Sequence, residues 1–318
     1  MSPASPDVCR ICQTESATAG YVVREMMFGT RDTFRYFQCE GCGCLQIAEF
    51  PEDLSPYYPA EYYSFSAAPF PRHGVREVMW KARNRFAYTR RSVAGKLLDA
   101  LRPAAPVGSG NWLTRRGLNL DARILDVGSG AGTLLYDLRA GGYRNLLGVD
   151  PFLEHDIHYP EGFSVLRKSV HEVDGSFDVV MLHHVLEHIP DQRETFASLA
   201  RLVSPSGYIL IRIPVVPSEA WERYGVDWVQ LDAPRHLFIH SPESLARLAT
   251  EAGLRVEAIE YDSTAFQFEG SEYYRQDVPL VEQKARPPAP GLRRLQKRAD
   301  ELNRTGRGDQ AAFYLSRA

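Results

Sequence analysis

Beyond about residue 119, short apolar runs alternate with segments whose apolar positions recur every third or fourth residue. The runs "RILDVG", "NLLGVD", "FSVLRK", "FDVVMLH", "GYILIRIP", "LRVEAIEY" and "QAAFYLSR" read as strands. "GTLLYDLRAGG", "RETFASLARLV" and "SPESLARLATEAG" read as the helices between them. The last carries its own start signal, Ser241 as N-cap and Pro242 at the first helical position. Strand and helix in alternation predict an α/β fold: a doubly wound, mostly parallel seven-stranded sheet with helices on both faces. In such sheets ligands sit beyond the carboxyl ends of the strands.

Upstream the pattern changes twice. Val75, Val78, Met79, Ala82, Phe86, Val93, Leu97 and Leu101 recur at helical spacing, predicting one basic amphipathic helix over 74–102. "RPAAPVGSG" ends it. All five cysteines lie in the first 44 residues, ahead of the aromatic "YYPAEYYSF". The expected division is a head over 1–58, an aromatic linker and basic helix over 59–118, and the α/β domain over 119–318. The net charge of −3 gives no global basic field for nucleic acid. No run is long and apolar enough for a membrane span, and the N-terminus has no apolar targeting core. A cytoplasmic protein is the expectation.

The cysteines form two C-x2-C knuckles, Cys9/Cys12 and Cys39/Cys42, with Cys44 left over. Paired knuckles of this spacing suit four thiolates around a structural zinc in a zinc-ribbon-like domain too small to hold a core alone.

In "ILDVGSGAGTLL" a strand runs through Gly128, Gly130 and Gly132 into a helix whose free N–H groups would face a ligand. A dinucleotide site is the competing reading. Asp126 argues against it, since a carboxylate there suits a ligand bearing an ammonium group. Asp150, closing the next strand, is placed to accept two ribose hydroxyls. On these residues, with "FDVVMLHHVLEHI" and the closing "GRGDQAAFYLSR", residues 119–318 resemble the class I S-adenosylmethionine-dependent methyltransferases. The resemblance implies S-adenosylmethionine as cofactor. It places Gly128 and Gly130 along the methionine part, Asp126 at its ammonium, Asp150 at the ribose, Ser169 and Val170 at the adenine, and Leu182 and His183 against the cofactor. The head, "PAEYYSF" and this domain together resemble bacterial methyltransferases of glycan and secondary-metabolite pathways.

His184, Glu187 and His188 are spaced i, i+3, i+4 beyond the fourth strand and would share one side of a helical turn. The resemblance brings His236 back toward them. The set is similar to the divalent-ion ligands of small-RNA 3′-end 2′-O-methyltransferases and, in part, of quinone-pathway O-methyltransferases, with His184 where theirs has Glu. Three readings stand open: a general base, with His184 and His236 acting and Glu187 and His188 supporting; a second divalent metal at His184, Glu187, His188 and His236, zinc or manganese before magnesium; or hydrogen bonds that pin a loop.

The expected reaction is O-methylation of a hydroxyl on a sugar, glycan precursor or related small molecule. Nucleic acid is not favoured as a partner. The basic helix leaves room for peripheral contact with anionic lipid or a lipid-linked glycan. The rivals are an RNA ribose methyltransferase, a sugar C-methyltransferase and a non-catalytic scaffold. Oligomeric state is not legible.

Overall fold

A computed structural model of the chain describes residues 7–16, 20–59, 74–90, 92–101, 118–283 and 291–318. Two compact units emerge: one joins 1–59, 183–200 and 210–318, the other 60–182 and 201–209.

The first unit opens with the cysteine head. A two-stranded ladder, β1 (Asp7–Val8) and β2 (Glu15–Ser16), brackets the first knuckle. β3 (Tyr21–Arg24), β4 (Thr33–Gln38) and β5 (Leu45–Ile47) follow as an antiparallel meander rich in β-branched and aromatic residues. The β3–β4 connection wraps around one buried carboxylate. Glu25 accepts the backbone amides of Met27, Phe28, Gly29 and Thr30 at 2.8–3.0 Å. Gly29, at φ 83°, supplies the left-handed backbone this wrap needs.

In the second unit the helix expected over 74–102 is a hairpin of two, α1 (Val75–Thr89) and α2 (Val93–Leu101). Arg90 takes a left-handed cap at φ 57°. Gly95 then has no Cβ to collide with Ala82 O and Phe86, so α2 folds back along α1. Trp80 stacks on Tyr136 at 5.2 Å and Asn84 donates to Asp137, fixing α1 to the α/β core. Val75, Val78, Met79, Val93, Leu97 and Leu101, the apolar positions at helical spacing, are exposed.

The same unit holds β6 (Arg123–Val127), α3 (Thr133–Gly141), β7 (Asn145–Val149), β8 (Ile157–Tyr159), β9 (Phe163–Leu166) and β10 (Phe177–His183), which ends at the unit boundary. β6 lies between β7 and β10, both parallel to it, and β9 follows β7. The winding reverses at β6, so the crevice for a ligand opens there. β8, antiparallel to β9, is an eighth strand beyond the seven expected. Its residues, "IHY", are too few to carry a period.

The chain returns to the first unit through α4 (Gln192–Leu202) and β11 (Val203–Pro214). Next come α5 (Glu219–Tyr224), β12 (Phe238–Ile239), α6 (Pro242–Glu251) and β13 (Leu254–Tyr261). The last elements are α7 (Phe266–Arg275), α8 (Leu280–Gln283), α9 (Leu292–Arg304) and β14 (Gln310–Arg317). β13 and β14 pair antiparallel. Ser241 caps α6 as expected and donates to Cys42 O at 2.5 Å. β12 pairs with β5, so the head's sheet takes its fourth strand from far along the chain. A segment this small gains from such pairing a core that it cannot build alone.

His240, beside β12, is fully buried, with Nδ1 3.0 Å from Ser244 Oγ and Nε2 3.1 Å from Gln192 Oε1. Burial pushes its pKa down to about 4, against a smaller opposing pull from Glu187. Between there and the ordinary value of about 6.5, the unfolded chain binds a proton that the folded chain refuses. Stability should therefore fall as pH drops below about 6.5, by up to about 1.4 kcal/mol per pH unit from this group. Thermal unfolding from pH 8 to pH 5 checks it: His240→Gln should flatten the decline, and an unchanged slope would remove His240 as its source.

Candidate functional site

The glycine loop and its two flanking acids belong to the second unit. β6 delivers Asp126 and then turns through Gly128 and Gly130, at φ 67° and 53°, a backbone that L side chains adopt only with strain. Gly128 N donates to Val149 O at 2.8 Å, tying the loop to the end of β7. Asp150 follows that end, its Oδ2 accepting Gly130 N and its Oδ1 accepting Phe152 N, both at 2.9 Å. Thus Asp126, Gly128, Gly130 and Asp150, named from sequence, meet around one loop.

Both acids are buried. Burial, then the charge of Asp150, drives the Asp126 carboxyl well above the usual range, and burial raises Asp150. Two buried carboxyls beside each other fit a ligand that brings an ammonium group to one and hydroxyls to the other. Val170 is buried in a short 3-10 turn that Ser169 opens, its backbone N and Oγ both donating to Glu172 at 2.8 Å. Leu182 is fully buried opposite Val127, the residue before Gly128. Phe152, two residues after Asp150, is exposed and offers an aromatic face.

The histidine cluster lies in the first unit. His184 sits at φ 55°, its backbone N donating to Arg212 O, and the chain then turns through a 3-10 segment, Leu186–His188. Glu187 is fully buried. Around it stand His184 Nδ1 at 3.3 Å and His236 Nε2 at 3.9 Å from Oε1. Ligating atoms of Glu187, His188 and His236 all lie within 4.8 Å of one another. The expected convergence of His236 on Glu187 and His188 is therefore present.

The tautomers follow from the partners. His188 Nδ1 lies 2.9 Å from Arg235 O, and His236 Nδ1 lies 2.8 Å from Gln230 O. A carbonyl only accepts, so both rings donate from Nδ1, and a ring held this way has its lone pair on Nε2 whenever it is neutral. His184 differs: Arg212 Nη1 donates to its Nε2 at 2.9 Å, leaving the Nδ1 proton for Glu187. Burial pushes His188 down to about 4, helped by His236 and opposed by Glu187 and Asp232. Burial pushes His183 to about 3, with Arg212 and His184 adding to it. For Glu187 burial acts upward, but His184, His188 and His236 together outweigh it and hold its pKa at about 2. The result is a buried carboxylate held low beside a buried His188 whose own pKa burial depresses.

Arg212 and Tyr58 join this cluster unannounced. Tyr58 Oη is 3.2 Å from His188 Nδ1, and Asp262 holds Arg212 Nε at 2.5 Å. A single Arg near the end of the apolar run "GYILIRIP" was the available signal.

In the head, Cys9, Cys12, Cys39 and Cys42 converge, with Cys9–Cys42 sulfurs 3.6 Å apart and Cys12–Cys39 sulfurs 3.4 Å apart. Tetrahedral thiolates around zinc have sulfurs about 3.8 Å apart. Gln46 Nε2 and Ile11 N donate to Cys9 Sγ, and Gly41 N donates to Cys39 Sγ. Cys44 stays outside the four, fully buried.

Residues 82–259 match the family model described as a methyltransferase domain. The chain is similar to the ubiquinone biosynthesis O-methyltransferase of Thiobacillus denitrificans, 30% identical over 46% of this chain and 71% of that protein. It is similar also to that of Pseudomonas aeruginosa, 29% identical over 47% and 71%. Among solved structures, a SAM-dependent methyltransferase from Archaeoglobus fulgidus aligns at 21% identity and a TM-score of 0.40, over 62% of this chain and 86% of that one.

Asp150→Ala and Asp126→Asn should each weaken S-adenosylmethionine binding 10-fold or more, about 1.4 kcal/mol per decade. Titration calorimetry measures this directly. Unchanged affinity in either variant would take that carboxyl out of the site.

Proposed function

The chain belongs to the methyltransferase domain family and is an S-adenosylmethionine-dependent methyltransferase, and on that premise we propose that it methylates a hydroxyl of a small-molecule acceptor through the Glu187 cluster. The observation that carries the reading is the convergence of Glu187, His188 and His236. One ligand atom of each lies within 4.8 Å of the other two, with His236 Nε2 3.9 Å from Glu187 Oε1. This is a donor set that fits a divalent ion, zinc or manganese before magnesium because nitrogen predominates. An ion held by Glu187, His188 and His236 would supply a Lewis acid that lowers the pKa of an acceptor hydroxyl.

The chain's own residues do the rest. Gln230 O and Arg235 O fix the two ring tautomers. Glu187 faces the Nδ1 proton of His184, which stabilises that ring when its Nε2 takes the acceptor's proton. To do so His184 exchanges the hydrogen bond from Arg212 for one from the acceptor, while Asp262 retains the guanidinium. Positioning of nucleophile, methyl and sulfur contributes most of the rate, and the base a smaller factor.

The acceptor we propose is a sugar, glycan precursor or related small molecule. A second reading, a phenolic hydroxyl, draws support from the quinone-pathway relatives. In the head, four cysteine sulfurs within 4.8 Å of one another support a structural zinc. Residues 75–101 hold seven Lys or Arg against two acids, beside six exposed apolar side chains, and this supports peripheral contact with anionic lipid.

The test supplies labelled S-adenosylmethionine and cell extract divided into RNA, lipid-glycan, polysaccharide and small-molecule fractions. Label is expected in a glycan or small-molecule fraction, falling about 100-fold in His184→Ala. Label in RNA would overturn the acceptor, and equal labelling by wild type and variant would overturn the base.

Lipid contact has its own measurement. The protein should sediment with phosphatidylglycerol vesicles at low salt, and Arg85→Glu with Lys96→Glu should abolish it. Equal sedimentation of wild type and variant would sink that contact.

A further inference from the structure

The loop carrying His236 is gripped by a single guanidinium. Arg235 is fully buried, with Nε and Nη2 on the two oxygens of Asp232 at 3.0 and 2.6 Å. The same Nη2 reaches Glu25 Oε1 in the head at 2.8 Å, and Nη1 reaches Tyr57 O at 3.2 Å. Glu25 cannot drift, because four backbone amides already bind it. Asp232 sits at φ 38°, a left-handed backbone that a non-glycine residue keeps only when its surroundings insist.

The consequences fall on the two imidazoles. His188 takes its Nδ1 partner from the peptide carbonyl of Arg235, and His236 from that of Gln230, two residues before Asp232. His236 N donates to Asp232 O, and His236 O accepts Tyr36 Oη of β4 at 2.8 Å. Leu237 N donates to Glu187 O, and Leu237 O accepts Ile47 N of β5. None of these bonds uses an Nε2 atom. They decide where the carbonyls lie, and the carbonyls decide which nitrogen of each ring stays bare.

We propose that Glu25, Arg235 and Asp232 are positioning residues through which the cysteine head sets the tautomer and aim of His188 and His236. The head is thus a working part of the histidine cluster. The proposal deepens the reading of Glu187, His188 and His236 as divalent-ion ligands and rests on it for its purpose. Stability alone is a poor account of the trio, since buried ion pairs gain little over apolar packing, whereas the geometry they impose is specific.

The test uses the full chain, purified with its head metal retained and with histidine labelled by nitrogen-15. Long-range proton–nitrogen spectra report which ring nitrogen carries the proton, and electron paramagnetic resonance reports binding of Mn2+. Wild type should show Nδ1–H at both His188 and His236. Glu25→Gln should give mixed tautomers at His236 and lower Mn2+ affinity about 10-fold or more. Tyr36→Phe removes a single hydroxyl without leaving a buried charge, and should act in the same direction. Asp7→Asn cuts an exposed pair with Arg35 in the same head and should move neither readout. Folded Glu25→Gln with wild-type tautomers and Mn2+ affinity would overturn the proposal. Where Glu25→Gln does not fold, the same comparison on Tyr36→Phe decides. Should wild type bind no Mn2+, the ion reading fails, and the His236 tautomer alone decides the positioning role.

Discussion

A carboxylate buried among imidazoles is the constraint around which the histidine cluster is organised. Glu187 has been removed from water, with His184 Nδ1 3.3 Å and His236 Nε2 3.9 Å from its Oε1. Such a group is expensive unless something compensates it. Here the compensation comes first from the Nδ1–H of His184 and then from His188 and His236, which together hold its pKa low although burial alone would raise it. Everything nearby serves to keep those rings in place: the left-handed turn at His184, the carbonyls of Gln230 and Arg235, and the Arg212 bridge to Asp262.

The glycine loop of the second unit treats the same kind of residue differently. Burial pushes up the carboxyls of Asp126 and Asp150, although Asp150 accepts the amides of Gly130 and Phe152. Glu187 is held low by its imidazole neighbours, whereas Asp126 is pushed high by burial and by the charge of Asp150.

Much of this was legible in the residues. The seven principal strands, the glycine loop with its flanking acids, the α6 cap at Ser241 and the paired cysteines all follow from local rules. Each depends on neighbours a few positions away. What the sequence hid depends on distant partners. β8 is too short for a period. The kink at Arg90 becomes visible only once Gly95 is seen lying against Ala82. The exposed apolar side chains of α1 and α2 share their spacing with buried ones, so periodicity could not say which way they face.

Sequence alone determined the chemistry available: a nucleotide loop with two acids, four knuckle cysteines, and histidines three and four apart behind an apolar strand. Tertiary structure alone decided which lone pairs are free. A histidine's tautomer is set by whichever acceptor meets its Nδ1, and for His188 that acceptor lies 47 residues away, at Arg235. Likewise Glu25 reaches Arg235 across 210 residues. No local pattern encodes such pairings, because they arise only when β12 joins the head's sheet and brings the loop before it onto Glu187.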